Sequence, residues 1–164
     1  MPEKQTVERA REDAREGKSP STQAGEFVRE EMDHIREGKH GARSTKQAIA
    51  IGLSKARRSG VKLPPPKKGR TSARTRQQAS RDLRKAGAHR KPSKTRSRAV
   101  STALKRESRK SASRSALARQ ARTSARKRGG QARRQSAAKA VRTKGRAGLS
   151  AAARKASATR GRRS

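Results

Sequence analysis

The stretch KHGARSTKQAIAIGLSKARR, residues 39–58, combines a helix start and an apolar face in a chain otherwise dominated by positive charge. Its segment S-T-K-Q begins at Ser44 and has the Ser-x-x-Gln pattern of a capping box, in which two side chains bond free backbone N–H groups. Ile49, Leu53 and Ala56 follow at spacings of four and three residues, so they share one face of a helix. The stretch therefore predicts a helix that begins at Ser44 and buries this face.

Two further helices are predicted before this stretch. The first covers Glu3 to Glu16, and the second has Ser19 and Pro20 at the N-cap and first helical positions, which these residue types favour. Glycine commonly ends helices because it adopts the left-handed conformation without strain. A glycine ends each of the three predicted helices: Gly17, Gly38 and Gly60.

Gly52 interrupts the middle of the third predicted helix, where glycine is less favourable than alanine by about 1 kcal/mol. A close neighbour at this position would explain the glycine. We expect the third helix to pack against the second through Phe27, Val28 and Ile35, which lie on the second helix at mostly helical spacing.

The composition limits how much of the chain can form a core. Of 164 residues, 27% are hydrophobic, 1% are aromatic and 37% are charged, and the formal net charge is +36. Low hydrophobicity with high net charge is typical of disordered chains, because little apolar surface is buried to offset the entropy of ordering. The chain has no cysteine, which excludes disulfides, thiolate metal sites and a cysteine nucleophile.

The charge is divided unevenly along the chain. Residues 1–63 hold 14 basic and 10 acidic residues, whereas residues 64–164 hold 34 basic residues and two acids, Asp82 and Glu107. Three prolines follow Leu63 and stop any helix there. We therefore predict a mostly α chain in three parts. These are a small helical head of two or three short helices (residues 1–63), a Pro/Lys linker (64–69) and a disordered or conditionally helical polycationic tail (70–164).

Folding of the tail is expected to depend on an anion. Alanine, arginine, lysine and glutamine favour helix, but repulsion among the cations opposes it. Neutralisation by a bound anion removes that repulsion, so segments 98–109 and 132–141 are expected to fold on binding.

The run KHGARSTKQAIAIGLSKARRSGVKLPPPKKG, with STQAGEFVREEM before it, resembles a family of small basic bacterial proteins that is a domain of unknown function. The resemblance covers roughly residues 15–69 and implies a bacterial source but no particular chemistry. The composition of the tail separately resembles the Lys/Ala-rich arms of linker-histone-like bacterial proteins.

Nucleic acid is the partner that the tail predicts, since dense blocks of positive charge suit a phosphate backbone. No recognition helix, zinc pattern or aromatic RNA-binding motif occurs, and one phenylalanine cannot supply base stacking. We therefore expect a DNA-compacting, nucleoid-associated or histone-like protein that binds duplex DNA without reading its sequence. The predicted contact residues are Lys67, Lys68, Arg70, Arg74, Arg76, Arg81, Arg84, Lys85, Arg96, Arg98, Lys105, Arg106, Arg109, Lys110, Arg126, Lys127, Arg128, Arg133 and Arg134.

Two other functions fit the same sequence. One is an RNA- or ribosome-associated basic protein that uses the tail in the same way. The other is a protein-interaction module, in which the head self-associates or recognises a protein and the tail adds electrostatic avidity.

A second phosphate site is predicted in the loop before the third helix. Lys39, His40, Arg43 and Lys46 place cations near a helix N-terminus, where backbone N–H groups favour anions. A turn between helices that holds no ligand explains the loop equally well.

No catalytic, cofactor or metal site is predicted. His34 and His40, with Asp33, fit no known metal-ligand spacing, and the third histidine, His89, stands apart. The acids of the second helix have no apolar pocket that would raise their pKa values for acid–base catalysis. We therefore expect no enzyme activity.

A membrane partner is not expected either. No apolar run approaches the roughly 20 residues of a membrane helix, and the tail lacks the apolar face of an interfacial helix. The amino-terminal residues show no secretory signal, so the expected location is cytoplasmic, at the nucleoid.

Overall fold

The computed structural model describes residues 2–87 and 93–161, and every regular element within these two ranges is helical. The elements are α1 (Lys4–Arg15), α2 (Pro20–Arg36), α3 (Thr45–Arg58), α4 (Ala73–Arg84), α5 (Lys94–Lys105), a 3₁₀ helix (Arg109–Ala112), α6 (Arg114–Lys127) and α7 (Gly129–Gly161). The backbone leaves helical geometry at Gly145, so α7 consists of two helical segments. The chain forms two compact units, Met1–Ala118 and Arg119–Ser164.

The three predicted helices of the head are confirmed as α1, α2 and α3. Each is followed by one of the predicted glycines, and all three glycines have positive φ. In each case the N–H of the residue after the glycine donates to the carbonyl five residues earlier, which is the Schellman arrangement. Left-handed glycine therefore ends every helix of the head.

The start of α3 differs in one detail from a capping box. The Ser44 hydroxyl accepts a hydrogen bond from the N–H of Gln47 at 3.2 Å, as predicted. The Gln47 side chain accepts from the N–H of Arg43 at 2.9 Å, one residue earlier than the standard pattern. Both contacts satisfy N–H groups that have no partner inside the helix.

Helices α2 and α3 form the centre of the first unit. Their contact has an apolar cluster on each side, and the predicted packing through Phe27, Val28 and Ile35 is confirmed. The first cluster buries Ala10, Ala24, Phe27, Ala56 and Val61, with Val7, Leu53 and Leu63 against it. The second buries Met32, Ile35, Ala42, Ala48 and Ala112, with Val28, Ile49 and Leu117 against it.

Gly52 is the point of closest approach between these two helices. A Cβ atom at Gly52 would lie 2.7 Å from the Cα of Val28 and 3.0 Å from the carbonyl oxygen of Phe27. Real Cβ atoms do not approach backbone so closely, so any larger residue would push α2 and α3 apart. The close neighbour that the glycine implied is the backbone of α2.

The prediction of a disordered or conditionally helical tail is wrong. The chain is helical in α4 to α7, and residues 104–112, here named the docking segment, pack on the head. The Gly41 and Ala42 N–H groups donate to the carbonyls of Leu104 and Ser108 at 2.8 and 3.2 Å. The Thr45 hydroxyl donates to the carbonyl of Ser111 at 2.7 Å. Residues 88–92 and 162–164 of the predicted tail, with His89, lie outside the described residues.

A search of the sequence for large apolar residues does not predict that the docking segment packs on the head. It contributes backbone carbonyls and the small, fully buried Ala112, and it approaches Gly41 so closely that a Cβ there would overlap the carbonyl of Glu107. Alanine, arginine, lysine and glutamine also have helix propensities high enough to favour helix locally in α5, α6 and α7. The described residues of these three helices have no buried side chain.

Asp82, one of the two acids beyond the head, holds α4 against α3. Asp82 is 3% exposed, and its carboxylate accepts hydrogen bonds from Ser54 Oγ at 2.6 Å, Arg58 Nε at 3.1 Å and Gln78 Nε2 at 3.1 Å. The buried Ala79 lies on the same helix, one turn earlier. A buried carboxylate with three donors is well compensated for its lost hydration.

The start of the predicted linker is fixed by Arg57. Its Nε donates to the carbonyl of Leu63 at 3.1 Å, and another nitrogen of its guanidinium lies 3.5 Å from the carbonyl oxygen of Pro64. Burial lowers the pKa of Arg57 below its ordinary value. The division of the chain into a head (residues 1–63), a linker (64–69) and a tail (70–164) stays a prediction.

Replacing Gly52 with alanine is expected to destabilise the first unit, although alanine is the better helix former. The added Cβ would force α2 and α3 apart, and overpacking of this kind costs about 1–3 kcal/mol. The matched control is Gly25→Ala on α2, where a Cβ meets nothing within 4 Å and the gain is about 0.5–1 kcal/mol. Urea unfolding followed by far-UV circular dichroism measures both. Equal effects of the two changes would contradict the close approach.

Replacing Asp82 with alanine is expected to release α4 from α3. Hydrogen bonds to a charged group contribute about 1.5–3 kcal/mol each when buried, and the exposure of Arg58 reduces this, so we expect a loss of about 1–3 kcal/mol. Hydrogen exchange of the α4 amides should accelerate, while the amides of α2 stay protected. Asp33→Asn, an exposed acid beside Arg36, is the control and should change neither.

Candidate nucleic-acid interface

The positive side chains of the chain fall into two classes. Half of the fourteen lysines and arginines of the head lie within 4.0 Å of a carboxylate, as in the pairs Arg9–Glu26 at 2.8 Å and Lys18–Asp13 at 2.7 Å. Among the residues described after position 63, no lysine or arginine has a carboxylate at this distance. The charge of the head is largely compensated, and that beyond it is not.

The predicted contact residues are spread over both units and are exposed, apart from the half-buried Arg76. Three lie before α4 (Lys67, Lys68 and Arg70), five in or just after it (Arg74, Arg76, Arg81, Arg84 and Lys85), four in or just after α5 (Arg96, Arg98, Lys105 and Arg106), two in the 3₁₀ helix (Arg109 and Lys110), three in or just after α6 (Arg126, Lys127 and Arg128) and two in α7 (Arg133 and Arg134). Each unit therefore presents its own set of exposed cations.

Helix α4 gathers three of these arginines around a shallow concavity of about 360 Å³. Its lining residues lie on one helix face and are Arg76, Gln77, Ser80, Arg81 and Arg84. Asp82 points the other way, towards α3, so the only acid of this helix is absent from the concavity. Three planar guanidinium groups on one face match the geometry of phosphate oxygens.

The second unit has no acid at all. Residues 119–164 contain sixteen lysines and arginines, and the described side chains of α7 are mostly exposed. Several hydroxyls of α7 donate back to the carbonyl four residues earlier, as Ser136 does to Ala132 at 2.9 Å. The lysines and arginines of these helices repel one another, and a bound anion would reduce that repulsion.

The predicted phosphate loop is partly occupied by the protein's own carboxylates. Lys39 Nζ lies 3.0 Å from Glu37 Oε2 and 3.3 Å from Glu3 Oε1, and these hydrogen bonds raise the pKa of Lys39. His40 Nε2 faces Glu31 Oε1 at 3.3 Å. Arg43 and Lys46 are exposed and unpaired. The idea of a phosphate at this loop stays a prediction, and the geometry favours α4 instead.

Comparison with known proteins adds one match, over the head and the linker. Residues 15–68 match a family of unknown function (DUF6496). No curated protein and no solved structure matches the chain. The matched residues contain α2, α3 and the irregular segment as far as Lys68, so they include the helix contact at Gly52 and exclude the second unit.

Sequence reasoning missed how the groups of α4 are arranged. The spacing of Arg76, Ser80 and Arg84 at four-residue intervals places them on one helix face, and that signal was present in the sequence. Its significance depends on which face is buried, which Asp82 decides through contacts with α3.

Within the described ranges, no helix is both long and apolar enough to cross a membrane.

Proposed function

We propose that this chain is a non-enzymatic protein that binds nucleic acid through the phosphate backbone, largely without regard to sequence, in the manner of a DNA-compacting or nucleoid-associated protein. The observation that carries the proposal is the division of charge. Half of the lysines and arginines of the head lie within 4.0 Å of a carboxylate, whereas those described beyond it have none at that distance and are exposed, apart from the half-buried Arg76. Each phosphate that such a cation neutralises releases counterions, which drives binding.

Duplex DNA is the favoured partner. Single-strand binding relies on exposed aromatic rings that stack on bases, and Phe27, the one aromatic residue of types Phe, Trp and Tyr, is fully buried between α2 and α3. Arginines on a helix face, such as Arg76, Arg81 and Arg84, can bind a regular array of phosphates without any contact to the bases. Structured RNA offers such an array as well, and RNA association is the alternative.

The head is proposed to orient the basic surfaces through self-association or a protein partner. Its charge is nearly balanced, so it gains little from nucleic acid, and it supplies the ordered surface on which the docking segment and α4 pack. The finer resemblance, to small basic bacterial proteins and to linker-histone-like arms, supports a bacterial, nucleoid location. If the main affinity is that of the head for a protein partner, the protein-interaction alternative holds instead.

Neutralising exposed cations beyond the head is expected to weaken binding far more than neutralising paired cations within it. One variant changes Arg98, Lys105, Arg126 and Lys127 to glutamine. The matched control changes Arg9, Lys18, Arg29 and Lys39, which have carboxylate partners. Both remove two arginines and two lysines. Affinity for one 30-base-pair duplex is measured by fluorescence anisotropy at five salt concentrations.

For the tail variant, the negative slope of log affinity against log salt should become shallower by about 0.9 for each phosphate that the protein no longer neutralises, up to about 3.6 for all four. The control should keep the slope of the original chain. Equal losses in both variants would mean that affinity follows net charge alone, and an unchanged tail variant would overturn the proposal. A hairpin RNA that competes better than an unrelated duplex DNA would move the conclusion to the RNA alternative.

A further inference from the structure

Three metal-ligating side chains of the head converge at the junction of α2 and the loop that follows it. Each of Glu31, His34 and His40 offers a ligand atom, and these atoms all lie within 4.8 Å of one another. Glu31 and His34 are three residues apart on α2, so they project from one helix face, and His40 comes from the loop. The 31–34 spacing is that of the Glu-x-x-His pairs that bind metals in helical bundles.

Glu31 is the buried member of this cluster. Its side chain is 0% exposed, and neither carboxylate oxygen receives a hydrogen bond from the described residues. Lys55 Nζ lies 2.7 Å from Oε2 and balances the charge on that side. Oε1 has no hydrogen-bond donor and faces Nε2 of His40 at 3.3 Å. A buried carboxylate oxygen without a donor is costly unless a cation is held against it.

The ring of His40 is oriented so that an unprotonated nitrogen faces this oxygen. Nδ1 lies 3.0 Å from the carbonyl oxygen of Gly41, an acceptor only, so Nδ1 carries the proton in the neutral ring. Nε2 then presents a lone pair to Glu31 Oε1. Two lone pairs at this distance repel each other unless a proton or a metal ion lies between them.

His34 also has one ring nitrogen held by an acceptor, and its other ring nitrogen, Nδ1, lies 3.9 Å from Oε1 of Glu30. Its Nε2 lies 2.9 Å from Oε1 of Glu3, a carboxylate that accepts the ring N–H and leaves Nδ1 unprotonated. Histidines that bind metals usually donate their other ring N–H to a carboxylate or a backbone carbonyl, which fixes the tautomer and raises the basicity of the ligand. Glu3 plays this role for His34, and the carbonyl of Gly41 plays it for His40.

We propose that Glu31, His34 and His40 bind one divalent transition metal ion, with Zn²⁺ the favoured ion and a water molecule as its fourth ligand. Two imidazoles and one carboxylate form a donor set that Zn²⁺ accepts in tetrahedral geometry, whereas Mg²⁺ and Ca²⁺ prefer oxygen ligands alone. The site ties α2 to the loop whose Gly41 and Ala42 hold the docking segment. Metal binding therefore stabilises the attachment of the basic part of the chain to the head.

The rival explanation is an ion pair in which His40 is protonated on both nitrogens and bonds Glu31 directly, with no metal. The two explanations differ in a measurable way. An ion pair needs no added ion and leaves the protein indifferent to Zn²⁺. A metal site binds one ion per chain, and its bound form melts at a higher temperature, because a ligand of the folded state stabilises it.

The test uses the full-length chain after treatment with a chelator and desalting. Isothermal titration with ZnCl₂ should show one ion per chain, and titration with Co²⁺ should give the intense visible bands of tetrahedral coordination rather than the weak bands of the hydrated ion. Zn²⁺ should also raise the melting temperature. No binding above the background of buffer, or a Co²⁺ spectrum that stays that of the hydrated ion, would overturn the proposal.

Variants assign the ligands. His40→Gln and Glu31→Gln should each lower Zn²⁺ affinity by about 100-fold or more, because even the loss of an outer hydrogen-bond partner costs about 10- to 100-fold. Glu3→Gln should lower it by about 10- to 100-fold and Glu37→Gln, an exposed acid of the same loop, should leave it unchanged. His40 is partly exposed, so His40→Gln keeps the test decisive if Glu31→Gln fails to fold. Full affinity in both ligand variants would contradict the assignment.

Discussion

Helices α2 and α3 can meet only because Gly52 has no side chain. The backbone of α2 at Val28 occupies the space that any Cβ would need. Every later contact of the first unit is built on this pair. The two apolar clusters lie on either side of it. The docking segment packs against the second cluster, and α4 lies against α3. A chain with one phenylalanine reaches a packed core by close backbone approach, in which small residues replace large ones.

Three acids of this strongly cationic chain, Glu30, Glu31 and Asp82, are buried where elements of the first unit meet. Ten of its twelve acids lie in the head, and Glu30 and Glu31 are buried beside Lys55. Asp82 joins α4 to α3, and the backbone at Glu107 lies against Gly41. The buried acids thus join elements of the first unit, whereas the described lysines and arginines beyond the head have no carboxylate within 4.0 Å.

The same distribution relates structure to the proposed activity. If the cations beyond the head were paired with acids, phosphates would have to displace carboxylates, and the electrostatic gain of binding would be lost. The described residues of α5, α6 and α7 bury no side chain, so these helices depend on intrinsic propensity and not on a core. They can therefore present their charge along a polyanion without giving up packing.

The sequence by itself determined the local structure of the head. The glycines at positive φ, the serine cap of α3 and the apolar face of α3 are encoded within one or two helical turns, and these short-range signals predicted α1, α2 and α3 correctly. The exposed cations of the candidate interface were equally visible, because charge is a property of composition. For the concavity on α4, the sequence indicates that its arginines share one helix face. It does not indicate whether that face is exposed or buried, because periodicity carries no information on the surroundings of a helix.

Tertiary structure decided how α4 and the docking segment attach to the head. The tail was predicted to be disordered because it has few large apolar residues. Its attachment uses the isolated Leu117 together with backbone carbonyls, Ala79, Ala112 and the buried carboxylate of Asp82, none of which has a periodic pattern. The cluster of Glu31, His34 and His40 escaped sequence analysis for a related reason. Glu31 and His34 have the Glu-x-x-His spacing, but two ligands do not define a site, and only the fold of the loop after α2 returns His40 to the helix that carries the other two.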